Sequence, residues 1–235
     1  MIENLPNYIA IIFALITLAT FILFFMAIKK SIASPKATII GLGMLIWLIF
    51  HMVVSLNHYY IDTVGDFPPK FALMSLVPAF LFMILLFNTK KGKVFIDSLP
   101  LSILTIISTI RIPIEIVIYW LFLYQTLPEI LTFEGRNFDI LAGISAPFIF
   151  YFGFIKKTLP KKVILGWNIF SLLLLINIVV MAIFSFQTTF QYFGLEQPNV
   201  AFLYFPFFWL PSFIVPIVFF THFVSIRQLT QKNKS

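Results

Sequence analysis

The chain has 235 residues, of which 60% are apolar and only 11% charged, against about 25% charged in an ordinary soluble domain. A mean hydropathy of +1.01 excludes a soluble enzyme, a disordered chain and a nucleic-acid binder, because most residues of a small soluble domain must face water. The net charge of +7 is therefore a question of where the lysines sit.

A helix needs ~20 apolar residues to cross the ~30 Å hydrocarbon layer. Continuous apolar runs predict seven spans, over about 8–28, 37–57, 71–87, 100–127, 139–155, 163–186 and 200–226. The expected fold is an all-α polytopic bundle of seven transmembrane helices, forming a single integral-membrane domain over 1–235. The runs do not alternate, which excludes a β-barrel. Span one is not a cleaved signal peptide: the segment ahead of it carries Glu3 and no base, and its lysines follow the apolar run.

The turns after spans one, three and five hold Lys29, Lys30, Lys36, Lys90, Lys91, Lys93, Lys156, Lys157, Lys161 and Lys162, and the tail adds Arg227, Lys232 and Lys234. One acid, Asp97, shares that side. The other side has Lys70 and Arg136 against Glu3, Asp62, Asp66, Glu129, Glu134, Asp139 and Glu196. Basic turns stay in the cytoplasm, so the N-terminus is expected outside and the C-terminus inside a cytoplasmic (plasma) membrane. A short chain with almost no loops points to a prokaryotic source.

In span two, Trp47, His51, Ser55, His58 and Asp62 recur at steps of three or four and share one face. In span four, Arg111 and Glu115 are four apart, and the same face carries Tyr119, Phe122, Gln125 and Glu129 toward the outer surface. Intramembrane charges mark function by default. The alternative is a buried Arg111–Glu115 pair that fixes helix register. At 1.5 Å per residue His51 and Glu115 lie at similar depth, so they meet if spans two and four face each other; Asn177 in span six shares that half.

The turn from Thr132 to Asp139 is the densest polar stretch. It holds Glu134, Arg136 and Asp139, either as a folded plug around Arg136 or as the lip of a binding site. Span seven contains Pro206, Pro211 and Pro216. Each proline removes a helical donor, leaving the carbonyls of Phe202, Phe207 and Ser212 as free acceptors and making this span a candidate hinge. Val77-Pro78-Ala79-Phe80-Leu81 and Leu210-Pro211-Ser212-Phe213-Ile214 hint at a repeat, although coincidence in such a chain is the simpler account.

No lysine lies in a span, which excludes a retinal Schiff base, and there is no cysteine. His222 is alone in span seven and near its inner end, too far from His51 and His58 for a shared metal or haem. No cofactor or metal is implied. The leading expectation is a transporter or sensor that binds or translocates a small polar solute or ion. Its outward-opening cavity lies between spans two, four, six and seven, with Arg111, Glu115, His51, His58, Asn177, Tyr119, Gln125, Glu134, Arg136 and Asp139 as candidate contacts. The alternatives are a non-catalytic subunit facing partner helices and an intramembrane enzyme on a lipid-like substrate, with Glu115 and His51 as acid and base. Beyond the lipid bilayer, only a solute or a membrane subunit is expected as partner, and no nucleic acid.

Overall fold

The structure, a computed structural model, describes residues 2 and 5–231. Glu3, Lys232 and Lys234, which entered the charge count, lie outside the described residues. Helices α1 (Asn7–Ser31), α2 (Ser34–Leu56), α3 (Tyr59–Asp62), α4 (Lys70–Met74) and α5 (Leu76–Asn88) are followed by α6 (Lys90–Ser98), α7 (Leu101–Ile107) and α8 (Arg111–Leu123). Then come α9 (Ile140–Phe150), α10 (Lys161–Ile183) and α11 (Val215–Thr230). No strand occurs among the described residues.

Six helical stretches are long and apolar enough to cross a membrane: Asn7–Ser31, Ser34–Leu56, Lys70–Asn88, Leu101–Leu123, Lys161–Ile183 and Leu210–Thr230. By length and composition these are six candidate membrane-spanning helices, compatible with an integral membrane protein. The predicted span over 139–155 forms a shorter apolar helix, Ile140–Ile155. Its last turn widens into a π-helix over Tyr151–Ile155, downstream of Pro147, which cannot donate a backbone hydrogen bond. The predicted span over 200–226 starts about ten residues late. Residues 200–209 form a 3-10 turn and irregular backbone around the cis Phe205–Pro206 bond.

Spans four and seven are central. In their most apolar windows 61% and 72% of residues are buried, against 17–28% in the other four long helices. The outer helices turn large apolar side chains outward, such as Ile39, Ile46 and Leu85, as lipid contact requires. The core is aromatic and aliphatic, with Phe13 packed on Phe207 and Phe24 edge-on to Phe220. A carbonyl freed by proline finds a partner in a neighbouring helix: Trp47 Nε1 donates to Ser212 O at 2.8 Å. Trp209 Nε1 donates in return to Leu48 O at 3.0 Å. Phe207 O instead accepts from Leu210 N, within its own turn. The two prolines of the suspected repeat differ locally, since Pro78 lies in an α-helix and Pro211 in a π-helix over Leu210–Ile214.

Candidate functional site: a buried ionic cluster between spans four, five, six and seven

Arg111 opens α8, just after a 3-10 turn over Ser108–Ile110, and is 2% exposed. Its Nη1 donates to Asp139 Oδ1 at 2.8 Å and to Ser171 O at 3.2 Å. Its Nη2 lies 2.7 Å from His222 Nε2. A guanidinium only donates, so His222 Nε2 must be the acceptor and the ring proton sits on Nδ1. That proton is donated to Asn168 Oδ1 at 3.0 Å, and Asn168 Nδ2 is held by Ile164 O at 2.9 Å. Spans four, six and seven are thus joined through one neutral imidazole.

The sequence expectation paired Arg111 with Glu115. The structure pairs Arg111 with Asp139, and Glu115 accepts from Asn137 Nδ2 at 2.5 Å. Asn137 also donates to Leu131 O at 2.9 Å and accepts from Asp139 N at 3.0 Å, which fixes its amide orientation. The turn between spans four and five therefore folds inward. Thr132 caps it, accepting from the Glu134 and Gly135 amides. Gly135 is required there, because a Cβ would stand 2.3 Å from Glu129 O. The inward fold carries Asn137 and Asp139 to positions 0% and 5% exposed.

Close helix contact completes the approach. A Cβ on Gly143 would meet Ile112 Cγ1 at 2.9 Å and Arg111 Cβ at 3.2 Å. Glycine lets α9 lie directly against the start of α8, which brings Asp139 within reach of the guanidinium.

Arg111, Glu115 and Asp139 line a cavity of about 80 Å³. The rest of its wall is apolar: Phe71 and Leu76 from span three, Leu175 and Ile178 from α10, and Pro211 and Ile214 from span seven. Among the described residues, five polar atoms on span four and α10 are buried without a hydrogen-bond partner: Arg111 Nε, Ser171 Oγ, Thr105 Oγ1, Ser108 Oγ and Thr109 Oγ1. Such capacity in an apolar interior is where water or a small polar ligand is held.

The other predicted contacts stand apart. His51 hydrogen-bonds Tyr60 through Nδ1 at 2.6 Å and packs edge-on to Trp47. It does not line the cavity, since span three, not span two, supplies that wall. Asn177 donates to Arg136 O at 2.9 Å and is not a cavity residue. His58, Gln125, Glu134 and Arg136 are exposed, and Tyr119 sits half-buried beside Phe133 and Glu134. The plug is not built around Arg136, because Asp139 is committed to Arg111. Of the proposed hinge, Pro211 lines the cavity within the π-helix, Pro216 begins α11 and Pro206 precedes the helix.

Asn137, Asn168, Ser171 and His222 were not among the predicted contacts. A span ending near residue 226 places His222 close to its inner end. The helix runs to Thr230, which lifts His222 to the level of Arg111.

Residues 67–230 match the family described as a domain of unknown function (DUF8737), and this region contains every member of the Arg111 cluster but neither His51 nor His58. No curated protein and no solved structure matches the chain. The match covers well over half of the sequence, and the chain belongs to that family.

Proposed function

We propose that this protein is a multi-pass protein of the cytoplasmic membrane that binds, and as a transporter or sensor responds to, a proton or small cation at Glu115. One observation carries the reading: Glu115 is 2% exposed and faces the cavity, and its hydrogen-bond partner is a neutral amide. The nearby cation, Arg111, is already committed to Asp139, Ser171 and His222. With both carboxylates ionised the three charged groups sum to −1. An unbalanced buried charge is costly enough that the group binds something to neutralise it. Arg111 is then the holder of Asp139 and not an anchor for an anionic solute.

The prolines of span seven support movement at this site, since Pro211 touches the cavity and interrupts regular α-helix there. Discontinuous spans that line an intramembrane ion site are a recurrent transporter device. Seven crossings with the N-terminus outside complete the reading, drawn from the lysine distribution. The separate surroundings of His51 and Glu115 give the acid–base enzyme reading no shared cavity. A structural subunit has no specific observation in its favour.

The test is an infrared titration of the purified protein together with proton and sodium flux in proteoliposomes. A carboxylic-acid band that titrates in the wild type and is missing from Glu115→Gln, with loss of flux, is the expected result. An unchanged band and unchanged flux in a folded Glu115→Gln variant would remove Glu115 from the mechanism.

A further inference from the structure

A second concavity lies on the opposite face of span seven, toward the lysine-rich end of the bundle. It is a groove of about 1280 Å³ walled by α1, α2, α5 and α6 and floored by the start of span seven. That exceeds the ~300–1,000 Å³ of pockets for drug-sized ligands. Its long walls are apolar, with Met44 on α2, Phe82 and Leu86 on α5, and Phe220 beneath.

One end is different. Lys36, Lys90 and Lys91 line it, and all three are exposed. The acid on this side, Asp97, is taken by Arg227 through two hydrogen bonds of 2.8 and 2.9 Å. Among the described residues no ion pair involves any of the three lysines. Lys36 also sits in the first turn of α2, and Lys90 and Lys91 in that of α6; neither turn has an acid. Helix N-termini already favour anions, so these cations add to a field that only an external negative charge relieves.

We propose that this groove is a binding site for one anionic phospholipid of the leaflet on the lysine-rich side. The acyl chains lie along the Met44–Phe82 walls and the phosphate meets Lys36, Lys90 and Lys91. The site is independent of Glu115 and its cavity. An apolar cleft alone accepts any lipid; the triad of unpaired lysines at a single end selects the anionic headgroup. A basic residue at the membrane surface is worth about fivefold in affinity for anionic lipid.

The experiment is native mass spectrometry of the full-length protein from micelles holding equal phosphatidylglycerol and phosphatidylcholine. The wild type should retain phosphatidylglycerol preferentially, and Lys36→Gln, Lys90→Gln and Lys91→Gln should each lower that preference about fivefold. Gly43→Phe is the second variant. Nothing lies within 4 Å of a Cβ at Gly43, so the ring fills the groove without displacing backbone and should lower retention of both lipids. Equal retention of the two lipids by the wild type overturns the proposal. So does an unaltered preference in all three lysine variants, or unaltered retention in Gly43→Phe.

Discussion

Arg111 and Asp139 are each nearly inaccessible to solvent and hold each other at 2.8 Å. Removing one partner of such a pair leaves the other as an uncompensated buried charge, at a cost of about 3–5 kcal/mol. Asp139→Asn should therefore lower the melting temperature in detergent sharply, and so should Arg111→Met. The double variant Arg111→Met with Asp139→Leu should be far more stable than the sum of the two losses. Additive losses would show that the charges do not interact. Arg111, Glu115 and Asp139 were legible in the sequence as rare charges in or beside apolar runs, but their pairing was not. Helical spacing of four speaks only to neighbours on one helix, and here a turn 28 residues downstream supplied the counter-ion. Asn137 and Asn168 were illegible for a simpler reason, because a neutral amide in a chain carries no signal until its partners are known.

Among the elements, the continuous apolar runs that form regular α-helix were read within a few residues, and the failures lie where the backbone leaves the α-helix. The helix over Ile140–Ile155 and span seven both contain π-helical turns, one beginning four residues after Pro147 and the other containing Pro211, and hydropathy does not distinguish a helix from an apolar segment of irregular backbone. The consequence of Pro216 was nonetheless legible: it strips Ser212 O of its helical donor, and the Trp47 indole takes that place. The C-terminal end of span seven is fastened differently, by Arg227 on Asp97 and by Gln228 Nε2 on Ile96 O at 2.7 Å. The Arg227 hydrogen bonds hold the Asp97 carboxyl below its ordinary value. A depressed carboxyl stabilises the fold above the ordinary carboxylate range and loses that contribution as pH falls through its lowered value. The pair is partly exposed, so the effect should stay below about 1 kcal/mol. Thermal unfolding of Asp97→Asn should match the wild type at the most acid pH and fall slightly below it near neutrality. A wild-type excess that persists undiminished in acid would assign the contact no electrostatic part.

For the whole molecule, the lysine distribution and the shape of α9 bear on the same question. The helix over Ile140–Ile155 is ~24 Å long at 1.5 Å per residue, short of the ~30 Å hydrocarbon core. It can still complete a crossing, because the inward-folded turn ahead of it satisfies its own backbone groups within the protein, as irregular backbone at membrane depth must. If the helix only dips in and returns, Lys156 and Lys157 come to lie on the same side as Glu134. The basic turns would then divide between the two faces, contrary to the asymmetry that governs insertion. The absence of cysteine makes the test direct, since each introduced thiol is the sole target. Glu134→Cys and Lys93→Cys, both exposed positions, should react with an impermeant thiol reagent on intact cells and only after permeabilisation, respectively. Lys157→Cys decides the count. Labelling only after permeabilisation means that α9 crosses and that seven spans carry all thirteen basic groups of the inner turns and tail to one face; labelling on intact cells means six crossings and places α10 and α11 the other way up.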